Sequence, residues 1–212
     1  MMTHINKLKE KLASAPKKVP PLANENVTIY ETVLKYVDQI YQFDLSSEID
    51  ADVIVNLIYS FRKNYPYSNE GKTNVYAWHS DFFAHKQTSD FNPLIEVIKN
   101  KLWKIDPIAQ NYPDFETSFK LLESWVGIYK QTEYTVPHDH GPVKYAAVYY
   151  AKAEENCSPI VFKTTDKDMS IVPKTNTLVI FSGKAMHYVP KSTSDDDRII
   201  FAANFTSSTL EI

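Results

Sequence analysis

The sequence predicts a mainly β protein of the α+β class, with helices first and an all-β core after them. Three observations carry that prediction. Two helical stripes fall before residue 106. Runs rich in Val, Ile, Tyr and Phe then recur every 10–15 residues or so from about 118 to 206. Clusters of Pro, Asn, Asp and Lys separate those runs. Short strands at such intervals build a sandwich or barrel.

The elements follow in order. Residues 1–26 hold five lysines and three prolines with few large apolar groups, and read as a solvated tail. Residues 27–45 alternate loosely among β-branched and aromatic types (Val27, Ile29, Tyr30, Val33, Tyr36, Val37, Ile40, Tyr41, Phe43) and predict one or two strands. A helix follows, with Ser46 or Ser47 as cap and Val53, Ile54, Leu57, Ile58 and Phe61 as its apolar stripe. Tyr65 to Asn74 is polar and reads as a loop. A second helix spans about 92–106. Pro93 lies in its first turn and Leu94, Ile95, Ile98, Leu102 and Trp103 form its stripe. Strands are expected at about 118–131, 135–140, 144–152, 159–163, 169–173, 177–182, 185–190 and 197–206. The division is therefore a tail (1–26), an N-terminal elaboration (27–117) and a β core (118–207), forming one structural domain overall.

Composition narrows the function classes. The chain has 212 residues, 43% hydrophobic and 23% charged, which is globular composition. Lys and Arg number 23 against 26 Asp and Glu, a formal charge of −3, so the basic excess of a nucleic-acid binder is missing. The four glycines are at least 14 residues apart, which excludes a GxGxxG turn and a GxxxxGK phosphate loop. One cysteine, Cys157, excludes an internal disulfide framework and a cysteine-rich zinc site. No apolar run reaches the roughly 18–20 residues of a membrane span, and the lysine-rich N-terminus has no apolar signal core. These features predict a cytoplasmic protein and leave a homodimer open.

The chemistry-bearing residues lie in the β region. His138 and His140 flank Asp139 in Val136-Pro137-His138-Asp139-His140-Gly141, and His187 follows 47 residues later. On an extended strand, residues i and i+2 share a face. Two imidazoles on one face, with a third from a facing strand, make a three-nitrogen metal set with open positions. Arg198, one of only two arginines, follows His187 by eleven residues and opens an apolar strand, sharing a face with Ile200, Ala202 and Asn204. An arginine in a β core needs a carboxylate, supplied by an ion pair or by a ligand gripped bidentately. His79 and His85 flank Trp78, Phe82 and Phe83 and read as partly buried packing rather than as the lining of a substrate groove. Cys157 reads as a small apolar filler.

This order, HxD/E, then 40–50 residues to His, then about ten to Arg, resembles the iron(II)- and 2-oxoglutarate-dependent dioxygenases. Trp125-Val-Gly-Ile-Tyr129, Pro137-His138-Asp139-His140, Ala147-Val148-Tyr149-Tyr150, Leu178-Val-Ile-Phe181, His187 and Arg198-Ile-Ile-Phe-Ala-Ala-Asn204 resemble the prolyl-hydroxylase-like branch. They are similar to small oxygenases of marine bacteria and cyanophages. The resemblance covers residues 118–206. It implies a double-stranded β-helix (jelly-roll) core with the N-terminal helices packed outside. It implies Fe(II) and 2-oxoglutarate as cofactors, with O2 and a peptidyl or small amino-acid-like substrate as partners, and succinate and CO2 as coproducts. His138 and His187 would ligate iron, Arg198 and Tyr150 would hold the distal carboxylate of 2-oxoglutarate, Tyr129 would lie near it, and Asn204 would line the pocket.

One position departs from the family pattern. His140 stands where a carboxylate is usual, so the expected ligands are His138, His140 and His187, with Asp139 behind them holding a ring N–H. Two other functions fit the same residues. One is a three-histidine cupin-like dioxygenase or hydrolase without 2-oxoglutarate. The other is a non-catalytic jelly-roll binding or assembly module.

Overall fold

A computed structural model describes residues 26–34, 37–111, 114–165 and 167–208. The expected tail, apart from residue 26, lies outside the described residues. Twelve strands lie among these described residues: β1 (Val27–Leu34), β2 (Val37–Asp44), β3 (Val75–Tyr76), β4 (Trp78–His79), β5 (Phe119–Tyr129), β6 (Tyr134–His138), β7 (Tyr145–Lys152), β8 (Ile160–Phe162), β9 (Met169–Ile171), β10 (Thr177–Ser182), β11 (His187–Val189) and β12 (Arg198–Ser207). They form a seven-stranded sheet, β1-β2-β10-β7-β12-β5-β4, and a five-stranded sheet, β3-β6-β11-β8-β9. Every strand pair within them is antiparallel. This is the expected double-stranded β-helix. All eight strands expected after residue 117 are present, and the strands before it extend both sheets.

The helices are α1 (Ala51–Asn64), α2 (Ala84–Gln87), α3 (Asn92–Ile105) and α4 (Phe115–Ser118). The cap of α1 is Asp50 rather than Ser46 or Ser47. Its carboxylate accepts the Asp52 N–H at 3.0 Å, leaving the two serines in the preceding turn. Ile54, Ile58 and Phe61 form the buried stripe of α1, whereas Val53 is 51% exposed. Pro93 opens α3, where its missing N–H costs nothing. Leu94, Ile95, Ile98, Leu102 and Ile105 are buried, while Trp103 is only partly so.

These helices cover the outer face of the seven-stranded sheet. Their buried residues pack with Val126, Ile128, Ala147, Tyr149, Leu178, Ile180, Phe201 and Ala203. The alternate residues of the same strands, Trp125, Tyr129, Ala146, Tyr150, Val179, Phe181, Ile200 and Ala202, pack between the sheets. The sheet is buried on both faces, which is why its strands read as continuous apolar runs instead of alternating ones.

The inner face of β5 and β12 organises the interior. Their register pairs Arg198 with Tyr129, Ile200 with Gly127, Ala202 with Trp125 and Asn204 with Glu123. Side chains two apart share a face, so these four pairs form one wall. A β-bulge then breaks the register, and Phe205 pairs with Leu121.

Candidate metal centre and adjoining cavities

Strand pairing assembles the three histidines. His138 ends β6, His187 begins β11, and the two are directly paired across the five-stranded sheet. His140 lies two residues beyond His138. The ring centroids are 4.2 Å apart for His138 and His187, and 5.2 Å for each with His140. One ring nitrogen from each histidine lies within 4.8 Å of the others.

Backbone carbonyls set the tautomers of two rings. His138 Nδ1 is 3.0 Å from the Val136 carbonyl and His187 Nδ1 is 2.8 Å from that of Ala185. A carbonyl only accepts, so each Nδ1 carries the proton and each Nε2 keeps its lone pair. His140 is held by other means. Its backbone N–H donates to the Gly183 carbonyl at 2.7 Å, and its ring stacks on Trp125 at 5.9 Å and 28°.

The expectation that Asp139 holds a ring N–H is corrected here. Asp139 is exposed, and its carboxylate accepts the Gly141 N–H at 3.0 Å, closing a turn in which Gly141 has φ of +63°. The ring N–H groups of His138 and His187 go to carbonyls instead. Asp139 reaches His138 and His140 only through its charge, which opposes part of the lowering described next.

Burial, the larger cause, and the neighbouring imidazoles keep the histidines neutral. His140 is pushed down to about 4 by burial and then by His138. His138 is lowered by burial, and His187 well below its ordinary value by burial, His138 and His140. Three neutral imidazoles, two of them oriented to present Nε2, form a donor set that suits a divalent transition metal.

Arg198 lies in an inner cavity of about 50 Å³, which it lines with Tyr129, Thr135, Tyr150 and the three histidines. It is 4% exposed. Its guanidinium carbon sits 4.1 Å from the centre of the Tyr129 ring, and Nη1 donates to the Ser158 carbonyl at 3.0 Å. Nε has no hydrogen-bond partner among the described residues. Nor does any described carboxylate pair with this cation. The acidic run before it turns elsewhere: Asp196 meets Lys152 at 3.2 Å and Asp197 accepts from Tyr59 at 2.9 Å.

The other expected residues are placed as follows. Tyr129 is buried and its hydroxyl is 3.0 Å from Thr135 Oγ1. Burial raises its pKa, while the Arg198 charge opposes that rise. Tyr150 is 2% exposed in the same cavity wall, its phenol also raised by burial. Asn204 lines not this cavity but a second, outer one of about 250 Å³, which shares His138 and His140 with it. Neither His79 nor His85 lines either cavity. His79 Nε2 meets Thr73 at 3.1 Å and His85 Nδ1 meets Ser124 at 2.9 Å. Cys157 is 5% exposed within the inner apolar cluster, as expected of a filler. Trp125, Thr135 and Glu123 were not singled out as site residues. Only the β5–β12 register reveals that Trp125 and Glu123 share a wall with Arg198.

No family model matches the chain, and no curated protein matches it in sequence. Solved structures do match in three dimensions. A prolyl-4-hydroxylase from Pseudomonas putida superposes with a TM-score of 0.53 at 14% identity, covering 92% of this chain and 98% of that one. A prolyl hydroxylase from Trichoplax adhaerens, in complex with a peptide fragment of the hypoxia inducible factor oxygen degradation domain, gives 0.57 at 13% identity, over 94% and 92%. HygX from Streptomyces hygroscopicus, with nickel and 2-oxoglutarate bound, gives 0.56 at 8%, over 87% and 84%. The fold is that of the 2OG-Fe(II) oxygenases. At these identities the likeness is one of fold, and what the chain does rests on its own residues.

Proposed function

We propose that this chain is an Fe(II)- and 2-oxoglutarate-dependent oxygenase that hydroxylates a peptidyl or small amino-acid-like substrate. The observation that carries the reading is Arg198, a buried cation without a carboxylate, facing the same cavity as three neutral imidazoles. A buried unpaired charge costs several kcal/mol. A ligand carboxylate would relieve that cost, and the guanidinium is suited to grip one bidentately.

The residues present fit both cofactors. His138, His140 and His187 would hold iron through ring nitrogens. Arg198 would pair with the distal carboxylate of 2-oxoglutarate, with the Tyr150 hydroxyl beside it. The Tyr129 ring lies 4.1 Å from the guanidinium carbon, and its hydroxyl is engaged with Thr135. When bound, the iron and cosubstrate supply O2 activation and oxidation of a C–H bond, with succinate and CO2 released. The chain's own contribution is orientation and exclusion of water. Ile160, Val189, Ile200 and Ala202 line the inner cavity with apolar surface, which strengthens the Arg198 charge toward a ligand. The free, buried thiol of Cys157 suits a reducing cytoplasm.

His140 supports a second reading. A third imidazole in place of a carboxylate leaves the metal one unit more positive, as in a three-histidine dioxygenase that does not use 2-oxoglutarate. One experiment separates the two. Anaerobic Fe(II) protein is titrated with 2-oxoglutarate while the visible metal-to-ligand charge-transfer band is followed, with Arg198→Ala in parallel. A band that weakens in the variant is expected. Bound iron without a band would favour the second reading, and failure to bind iron would leave a binding module.

A further inference from the structure

The outer cavity has a chemistry opposite to that of the inner one. It is lined by Asn74, Val75, Phe82, Glu123, Trp125, Asp139 and Asn204, together with His138 and His140, and no lysine or arginine is among them. Glu123 and Asp139 make no ion pair among the described residues. Glu123 is fixed in place, because Asn204 Nδ2 donates to its Oε2 at 2.8 Å.

Asn204 adds an independent observation. It is 3% exposed, it lines this cavity, and its Oδ1 has no hydrogen-bond partner among the described residues. A buried amide oxygen left unpaired is costly, and a donor that reached it from the cavity would offset that cost. The cavity therefore offers a fixed carboxylate and an orphaned acceptor side by side. Phe82 and Trp125, packed edge to face at 5.5 Å, stand in the same lining. Aromatic faces attract cations, and a carboxylate beside an orphaned acceptor asks for a charged donor. Every one of these features disfavours an anion.

We infer that the outer cavity binds a cationic nitrogen group of the substrate, an alkylammonium or guanidinium, against the hydrogen-bonded Glu123–Asn204 pair. This rests on the proposed oxygenase reading only for the consequence that the bound group is carried past the metal. The charge preference itself belongs to the cavity.

The test is isothermal titration of the full-length metal-free protein with three probes: Nα-acetyl-lysine methylamide, Nα-acetyl-arginine methylamide, and Nα-acetyl-norleucine methylamide, which lacks the cationic group. At least one cationic probe should bind 10-fold or more tighter than the norleucine probe. That margin should shrink as salt is raised and vanish in Glu123→Gln. The wild-type comparison stands even if the variant folds poorly. Equal affinity for all three probes, or an undiminished margin in well-folded Glu123→Gln, would overturn the inference. Titrating the Ni(II)-loaded protein with 2-oxoglutarate separates the two proposals. Loss of 2-oxoglutarate binding with the cationic margin intact removes the oxygenase reading alone, and the converse removes this one alone.

Discussion

Gly183 and His140 are joined backbone to backbone: the His140 N–H donates to the Gly183 carbonyl at 2.7 Å. The strand turn at Gly183 thus fixes where the third imidazole leaves the chain. There is no room at Gly183 for a side chain, since an added Cβ would lie 2.2 Å from the Val143 carbonyl oxygen. Gly183→Ala must push the 141–144 segment away. It should cost about 1–3 kcal/mol of stability, the range of overpacking. It should also weaken metal binding although no ligand is removed. Urea unfolding and Ni(II) titration measure the two effects, and normal values for both would refute the account.

Trp125 gives a second way to disturb His140 without touching it. Their rings stack at 5.9 Å, and among the described residues His140 has no ring hydrogen bond of the kind that fixes His138 and His187. Trp125→Ala should loosen His140 and lower Ni(II) affinity roughly 10-fold, the scale of an outer-shell loss. His138→Ala and His187→Ala should lower it much further. If Trp125→Ala binds metal like the native chain, the stacking does not position the ring.

Arg198 offers a test in which stability and binding part company. Removing one member of a buried ion pair typically costs 3–5 kcal/mol, whereas replacing a buried unpaired charge by an apolar isostere relieves strain. Arg198→Met should therefore leave the ligand-free protein as stable as before, or about 1 kcal/mol more so. It should lose carboxylate-dependent binding of 2-oxoglutarate to the Ni(II) protein. A drop in stability of several kcal/mol would mean that the arginine has a structural partner.

The imidazoles set a pH dependence. In the folded state His140 is lowered to about 4, and His138 and His187 are lowered too. Between pH 4 and 6.5 the unfolded chain therefore binds more protons than the folded one, so stability rises with pH across that window. The metal-free protein should lose on the order of 3 kcal/mol between pH 7 and 4 through His140 alone. Its chemical denaturation midpoint should fall accordingly. His140→Phe should flatten the profile, and an unchanged slope in that variant would assign the effect to other groups.

How much of this was legible in the sequence depended on how local the signal was. Strand order from 118 onward followed from apolar runs and their breakers. His138, His140, His187 and Arg198 stood out as rare residue types at set spacings. The cap of α1 was misplaced because three capping residues, Ser46, Ser47 and Asp50, lie within five positions, and only tertiary packing selects among them. Asp139 was assigned a partner from proximity in sequence, yet the turn at Gly141 claims its carboxylate first. The pairing of Glu123 with Asn204 joins residues 81 apart, and no local pattern encodes a register.

The wall shared by β5 and β12 has a consequence for how this scaffold could diversify. Arg198 and Asn204 are six residues apart on one strand, so roughly 20 Å separates them at the usual rise. The register shift after Asn204 ends the wall there, where β5 skips Leu122 and Phe205, like Phe201 and Ala203, faces the outer core. On the proposed readings, carboxylate binding and cation binding would occupy opposite ends of a single stiff ruler. Exchanging residues 123 and 204 would then respecify the far end while leaving the Arg198 end undisturbed, a modularity written into one strand pair rather than divided between domains.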